Sequence, residues 1–168
     1  MVEIVNYRPD LVEPAVQLIL DIQQNEMDLP VTRGMQDDLV DVEAYYLKPG
    51  GNFWLAVDGQ RVVGTIGLVN FSQGVGVLRK MFVHQEFRGK QYATAKRLFD
   101  TLVAWSLSKQ FNIIYLATIE KLKAAQRFYE KSGFSKIPES ELPDGFHDTE
   151  VNVSDPAFYY RMELRAHA

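Results

Sequence analysis

Cysteine is missing from this chain of 168 residues. A protein without a thiol forms no disulfide, no thiolate metal site and no covalent intermediate on cysteine. Histidine is scarce as well. The spacing of His84, His147 and His167 does not match that of a metal site, so we predict that the protein uses no metal.

Long apolar segments are also missing. No apolar run approaches the ~20 residues that cross a bilayer. The first residues lack the basic segment and the apolar segment that together form a signal peptide. We therefore expect a cytoplasmic protein that has no membrane partner.

The chain has no excess of basic charge. It contains 22 acidic and 18 basic residues, for a net charge of −4. Proteins that bind nucleic acids are usually basic, so we predict no nucleic-acid partner. The acidic balance fits a cationic substrate instead. The glycine-rich motifs of P-loop and dinucleotide-binding proteins are absent from the sequence too.

The chain does carry a regular succession of strand and helix patterns. Strands are predicted at 2–7, 53–57, 62–69, 75–84, 112–117, 134–137 and 157–164, and helices at 10–25, 36–47, 91–109 and 122–131. Short turns between 53 and 84 indicate an antiparallel meander, whereas the crossover from 75 to 117 indicates a parallel pair. We predict one α/β (α+β) domain over 1–168, with a mixed, mostly antiparallel sheet flanked by about four helices. Residues 138–155 are expected to form a polar loop.

A strand, a basic turn and a helix follow one another between 78 and 99. The first N–H groups of a helix have no internal partner, and the helix dipole places about half a positive charge there. Arg88 and Lys90 add two full charges at the turn. This combination predicts a ligand that carries phosphate.

Two motifs give the chain a family resemblance. The turn reads R-G-K-Q-Y-A at 88–93, and it is similar to the pattern Arg/Gln-x-x-Gly-x-Gly/Ala with Gln91 at the position of the glycine. The second motif, A-Q-R-F-Y-E-K-S-G-F at 125–134, is similar to Ala-x-x-Phe-Tyr-x-x-x-Gly-Phe. Together they resemble the signatures of the GNAT superfamily of acetyl-CoA-dependent N-acetyltransferases. The resemblance covers nearly the whole chain, and it is greatest to small bacterial members of unassigned substrate.

The resemblance implies a binding site for acetyl-CoA as co-substrate. The turn would hold the pyrophosphate through its amides and through the Arg88 side chain. The two strands at 78–84 and 113–118 would splay apart, so that freed backbone groups pair with the pantetheine amides. The residues implied in binding are Met81, Phe82, Val83, Arg88, Gly89, Lys90, Gln91, Tyr92, Ala93 and Thr94.

The resemblance also implies roles in catalysis. Tyr129 is the candidate general acid that protonates the departing CoA thiolate. An amine with a pKa near 10.4 is almost fully protonated at pH 7, so a base is expected, and Glu120 and Glu26 are the candidates. Glu120 is assigned to catalysis and Glu26 to acceptor binding, although a solvated surface position fits either residue.

The function implied is direct transfer of an acetyl group to an amine acceptor in a ternary complex, because no cysteine is available to form an acetyl-enzyme. An alternative is an inactive acyl-CoA-binding or regulatory module with the same fold. The acceptor stays open among a small amine, a peptide N-terminus, a protein lysine and an antibiotic. The acidic positions 37, 38, 41 and 43 fit a cationic acceptor, and they fit a solvated helix face equally well. The oligomeric state also stays open, with a homodimer paired through residues 158–160 as one option.

Overall fold

The structure is a computed structural model that describes residues 1–149 and 156–165. Seven strands form one sheet in the order β1-β2-β3-β4-β5-β7-β6. Their bounds are Val2–Asn6 (β1), Asn52–Asp58 (β2), Arg61–Ser72 (β3), Val75–Val83 (β4), Ile113–Ile119 (β5), Ser135–Ile137 (β6) and Ala157–Glu163 (β7). The α-helices of the described residues are Val12–Asp21 (α1), Asp37–Val40 (α2), Thr94–Ser108 (α3) and Lys123–Lys131 (α4).

The predicted fold class is confirmed. Strands β1 to β4 form an antiparallel meander, and β4 pairs with β5 in parallel after the crossover through α3. The sheet separates two apolar clusters. One lies under α3 and α4, with Leu98 and Tyr129 among its members, and the other lies under α1 and α2, with Ile19 and Leu39 among its members. Each helix buries an apolar stripe against one face of the sheet. None of the helices described is long and apolar enough to cross a membrane.

The parallel pair splays apart after a short paired segment. Pairing between β4 and β5 is confined to 75–77 on one strand and 113–115 on the other, although β4 continues to Val83 and β5 to Ile119. Strand β7 covers the other edge of β5 along its whole length. The backbone groups of β4 and β5 that face each other beyond the paired segment are therefore not used in the sheet, as the sequence predicted.

A β-bulge distorts β4 just after its pairing with β5 ends. Thr65 pairs with Phe82 and Gly67 pairs with Arg79, so two residues of β4 lie opposite one residue of β3. Lys80, the first of these two, has a φ of 54°, in the left-handed region that residues other than glycine rarely adopt. The Thr65 hydroxyl donates a hydrogen bond of 2.7 Å to the Lys80 carbonyl. This buried bond gives the carbonyl of the left-handed residue a side-chain donor from the neighbouring strand.

Three sequence expectations about local structure are wrong. The helix expected at 36–47 is split into α2 and a π-helical turn, Glu43–Leu47, because the Asp41 backbone is extended and its carboxylate accepts from the Ala44 amide at 3.0 Å. The helix expected from 91 begins at Thr94, since Ala93 before it is left-handed, with a φ of 50°. The segment expected to be a polar loop at 138–155 contains short 3-10 helices and the buried Phe146, while 150–155 lies outside the described residues.

Strand β7 does not offer the edge that the sequence suggested for a homodimer. Tyr159 and Tyr160 pair with β5 on one side and with β6 on the other. A strand that is hydrogen-bonded on both sides has no free ladder groups with which to pair a second subunit. The ladder groups of Tyr159 and Tyr160 are therefore already used within the chain, whereas Phe158 pairs with β5 alone.

The bulge gives a prediction for stability. We expect Thr65→Val to lower the free energy of unfolding by about 1–3 kcal/mol, because it leaves the buried Lys80 carbonyl without a donor and changes little in shape. Urea unfolding measures this loss. The matched control is Thr101→Val. The Thr101 hydroxyl also donates to a carbonyl, that of Arg97, but this bond lies at the exposed surface of α3. Equal effects of the two substitutions would contradict the special role of the buried bond.

Candidate functional site

A cleft lies where β4 and β5 separate, and it has a volume of about 200 Å³. Its walls come from β4, β5, α4 and the segment that follows α1. The lining residues are Gln23, Met27, Leu29, Val31, Leu78, Arg79, Lys80, Met81, Phe82, Ala117, Thr118, Ile119, Leu122, Ala125 and Tyr129. The segment at 27–31 is held against the end of β5 by an apolar cluster that includes Leu29 and Ile119, and by a 2.6 Å bond from Lys121 Nζ to the Met27 carbonyl.

The turn before α3 leaves several backbone donors uncommitted. The first hydrogen bond into the helix runs from the Arg97 amide to the Ala93 carbonyl at 2.9 Å. No side chain caps this helix. The amides of Tyr92 and Ala93, which the sequence assigned to the ligand, donate to the Gly89 carbonyl at 3.3 and 3.2 Å. The amides of residues 89–91 and 94–96 have no acceptor among the described residues, so they are the donors open to an anion.

Two residues of the turn, Gly89 and Gln91, decide how well it fits a phosphate. Gly89 has a φ of 106°, which favours glycine, whereas a Cβ at this position would meet no atom within 4 Å. Glycine is therefore needed here for the backbone conformation and not for space. Gln91, which replaces the family's glycine, is exposed and does not have a positive φ. The replacement therefore costs no backbone strain and directs a side chain towards solvent.

A buried hydroxyl supports the same assignment. Thr94 is 1% exposed, and its Oγ1 has no hydrogen-bond partner among the described residues. A buried polar atom without a partner is costly, and it is satisfied when a ligand supplies one. Together with the uncommitted amides beside it, Thr94 gives the turn a set of donors suited to an anion.

Arg88 and Glu26, two of the residues selected from the sequence, lie in contact. Arg88 Nε donates to the Val83 carbonyl at 2.8 Å, and its Nη1 lies 2.8 Å from Glu26 Oε1. Glu26 ends a π-helical turn, Ile22–Glu26, that continues α1. Both side chains are partly exposed, so the ion pair itself contributes little to stability. It joins the segment after α1 to the end of β4.

Met81, Phe82 and Val83 contribute side chains mainly to the core. Met81 and Val83 pack into the cluster under α3, and Phe82 packs into the cluster under α1. Beyond the paired segment, their backbone on the β5 side is not used in the ladder. The part of these residues that the β4–β5 pairing leaves unused is therefore the backbone.

Tyr129 lines the cleft from α4. It is 8% exposed, and its ring packs between those of Phe134 and Tyr160 at centroid distances of 5.8 and 6.2 Å. Burial raises the pKa of Tyr129 well above its usual value, so the hydroxyl carries its proton at neutral pH. Glu120, the other catalytic candidate, is exposed at the end of β5 and is not among the residues that line the cleft.

A buried polar network on the α2 side was missed by the sequence analysis. Lys80 Nζ lies 3.0 Å from Asp38 Oδ2, and the Tyr46 hydroxyl donates to the same oxygen at 2.6 Å. The Tyr46 ring packs over Gly67, where a Cβ would approach it to 2.7 Å. Deeper in the cleft, the amides of Gln23 and Gln36 bond each other twice at 2.9 Å.

The network is charged at neutral pH. Burial opposes the charge on Asp38, but Lys80 and Arg79 outweigh it and lower the pKa of Asp38. Burial and the neighbouring Arg79 charge lower the pKa of Lys80 to about 8, and Asp38 acts in the opposite direction. Burial, followed by the Asp38 charge, raises the pKa of Tyr46 well above its usual value. The sequence did contain a signal for this network, the adjacent pair Arg79-Lys80 inside an apolar strand. Successive side chains of a strand point to opposite faces, so two adjacent charges there cannot both face solvent.

Comparison with known proteins identifies the family. The family model described as acetyltransferase (GNAT) family matches residues 16–134, which is more than half of the chain. The chain belongs to the GNAT family. A GNAT-family acetyltransferase from Staphylococcus aureus Mu50 superposes with a TM-score of 0.88 at 34% identity, and the match covers 98% of this chain and 100% of that one. The predicted membership in this family of acyltransferases is therefore confirmed.

Two other relatives add detail about the GNAT family. An N-acetylaspartate synthetase from Danio rerio is 35% identical over 109 residues, which is 64% of this chain, and this chain spans only 38% of its length. The N-acetylglutamate synthase of Neisseria gonorrhoeae, solved with coenzyme A and N-acetyl-glutamate, has a TM-score of 0.71 at 14% identity, over 99% of this chain and 36% of that one. The second likeness establishes only that the fold is shared.

Among residues 1–149 and 156–165, no group of three or more acidic or histidine side chains is placed to hold a metal ion.

Proposed function

We propose that this protein transfers an acetyl group from acetyl-CoA to an amine acceptor, directly and within a ternary complex. The observation that carries the proposal is the splay of β4 and β5, which opens a cleft beside the uncapped start of α3. The proposal includes the whole chain, 1–168, as one transferase domain, and it keeps the cytoplasmic location expected from the sequence.

Coenzyme A would lie along β4. Its pyrophosphate would accept from the uncommitted amides at 89–91 and 94–96 and from Thr94 Oγ1, with Arg88 and Lys90 supplying charge. The pantetheine amides would pair with the free backbone of 81–83 as an added strand does. This arrangement directs the thioester into the cleft, towards Tyr129.

The chemistry is a single displacement at the thioester. The neutral amine nitrogen attacks the acetyl carbon, the C–S bond breaks, and the electron pair leaves with sulfur. Tyr129 would donate its hydroxyl proton to that thiolate. The nitrogen loses one proton as it becomes an amide, and a proton passed through water would restore the Tyr129 hydroxyl. The burial that raises the pKa of Tyr129 also raises the pKa of a thiol beside it, so the transfer is less unfavourable than the Tyr129 value alone implies.

The amine must lose a proton before it attacks. At pH 7 only about one in a few thousand amines with a pKa near 10.4 is neutral, so a base or a water chain to one is needed. Glu26 is kept as the acceptor-side candidate because its π-helical turn is followed directly by cleft-lining residues. Glu120 is exposed at the far end of β5 and would act through water.

The alternative is a module that binds acyl-CoA without turnover. Its main support was the replaced glycine, and the exposed, unstrained Gln91 weakens that support. We expect thiol release from acetyl-CoA with at least one member of an amine panel, followed with a thiol reagent. The name of the N-acetylaspartate synthetases points to an aspartate acceptor in those relatives, so the panel includes aspartate. Tight coenzyme A binding with no release on any amine would favour the module.

Arg88 gives a prediction for coenzyme A binding. We expect Arg88→Glu to weaken coenzyme A binding by at least tenfold, because a carboxylate would face the pyrophosphate where a guanidinium stood. Isothermal titration measures the affinity, and circular dichroism checks the fold. The matched control is Lys109→Glu, the same change of charge just past the opposite end of α3, about 22 Å away. If both variants bind equally well, Arg88 does not contact the phosphate.

Tyr129 gives a prediction for turnover. We expect Tyr129→Phe to lower kcat by about 10²–10⁴-fold, the usual contribution of a general acid, while the affinity for coenzyme A stays within about twofold. Removal of one hydroxyl keeps the buried ring and its packing. Steady-state kinetics with saturating acetyl-CoA separates the two effects. An unaltered kcat would remove Tyr129 as the acid.

A further inference from the structure

The wall of the cleft that follows α1 is apolar except for one amide side chain. Its lining residues are Gln23, Met27, Leu29 and Val31, and among them Gln23 alone can donate a hydrogen bond from its side chain. Gln23 belongs to the π-helical turn Ile22–Glu26. Single π-helical turns are rare, and they occur frequently at functional sites. In an apolar pocket a few fixed polar groups orient the ligand, so Gln23 is the side chain of this wall that is suited to that task.

A second buried amide fixes the orientation of Gln23. Gln23 Nε2 donates to Gln36 Oε1, and Gln36 Nε2 donates to Gln23 Oε1, both at 2.9 Å. Gln36 Nε2 also donates to the Thr32 carbonyl at 3.1 Å. If the Gln36 amide were turned over, its oxygen would face the oxygen of Thr32, so this carbonyl determines the direction of both amides. The nitrogen and the oxygen of the Gln23 amide therefore have defined positions.

The Gln23 amide keeps one N–H group that is not used within the protein. An amide side chain has two N–H donors, and Gln36 uses both of its own. Among the described residues, the side chain of Gln23 bonds to Gln36 alone, through one N–H group and the oxygen. The second N–H group belongs to a residue that is only 6% exposed and lines the cleft. A buried donor without an acceptor is costly, and an oxygen of a bound ligand would satisfy it.

Gln23 and Tyr129 lie on opposite sides of the cleft. Tyr129 belongs to the cluster under α3 and α4, whereas Gln23 continues α1 on the other face of the sheet. In the proposed complex the thioester enters between β4 and β5, with its sulfur on the side of Tyr129. The acceptor would then approach along the wall that contains Gln23. This placement rests on the proposed function.

We propose that Gln23 binds the acceptor, and that the acceptor is a small amine that also carries a carbonyl oxygen. The remaining N–H group of Gln23 donates to that oxygen, while Gln36 holds the Gln23 amide in position. A plain alkylamine has no such oxygen and would leave the donor unpaired, so the site discriminates against it. Amino acids, their amides and peptide N-termini share the required unit, and a cleft of about 200 Å³ suits the smallest of them.

The test uses two matched pairs of acceptors in which an isopropyl group replaces a carboxamide: glycinamide with isobutylamine, and β-alaninamide with isopentylamine. Thiol release from acetyl-CoA is measured for each amine with the wild type and with Gln23→Leu. The two members of a pair differ in amine pKa, so the effect of the substitution is compared and not the two amines directly. We expect Gln23→Leu to lower kcat/KM for the carbonyl-bearing amines at least tenfold. We expect kcat/KM for the alkylamines and KM for acetyl-CoA to stay within about twofold.

Two further variants separate recognition from folding. Gln23→Leu leaves the buried Gln36 amide without its partner, whereas the double substitution Gln23→Leu with Gln36→Leu removes both amides together. We expect the double variant to recover part of the thermal stability that the single variant loses, and to recover none of the kcat/KM for carbonyl-bearing amines. Gln17→Leu, the same change at an exposed position of α1, should alter neither quantity.

Three results would overturn this inference: an equal effect of Gln23→Leu on both members of a pair, a recovery of turnover in the double variant, or turnover confined to amines without a carbonyl oxygen. Each of them includes turnover of an amine and so leaves the proposed transferase intact. The absence of turnover with any amine would instead contradict the transferase itself. Glycine and triglycine, measured beside glycinamide, separate a free amino acid from a peptide N-terminus as the source of the carbonyl.

Discussion

The hydrogen bond between the Thr65 hydroxyl and the Lys80 carbonyl stabilises the distortion on which the site depends. A left-handed conformation at a residue other than glycine costs about 1–3 kcal/mol, and it persists only where the surroundings fix it. Here a buried bond fixes it, just beyond Val77, where the pairing of β4 with β5 ends. Without the bulge, Arg79 and Lys80 would point to opposite faces of the sheet.

The buried ion pair attaches α2 to the same point of the sheet. Taking Lys80 and Asp38 out of water costs several kcal/mol for each ion. Their mutual attraction and the hydrogen bond that Tyr46 donates to the carboxylate offset this cost. An apolar pair of similar size would serve stability equally well. The ion pair instead specifies where α2 meets β4, and so it fixes one wall of the cleft.

The sequence was sufficient for the order of elements and for the place of the basic turn before α3, because both depend on local patterns: apolar periodicity, turn residues and basic residues before a helix. It was not sufficient for the bulge, since nothing in residues 78–83 marks Lys80 as left-handed. The sequence analysis missed the break in the helix expected at 36–47. Asp41 lies at a polar position of the helical period, but its carboxylate accepts from the Ala44 amide and so ends the helix. The contact between Arg88 and Glu26 joins residues far apart in the chain, and a contact of that kind follows from the fold alone.

Net charge is a weak guide to the ligands of the cleft, because those ligands meet only local charges. Net charge is an average over the surface, whereas recognition depends on charges within about a Debye length, ~8–10 Å, of the ligand. In this chain Arg88 and Lys90 lie together in the turn before α3. In the proposed complex they would attract the phosphates of coenzyme A. A chain of negative net charge can therefore bind an anionic ligand at a turn that is locally positive.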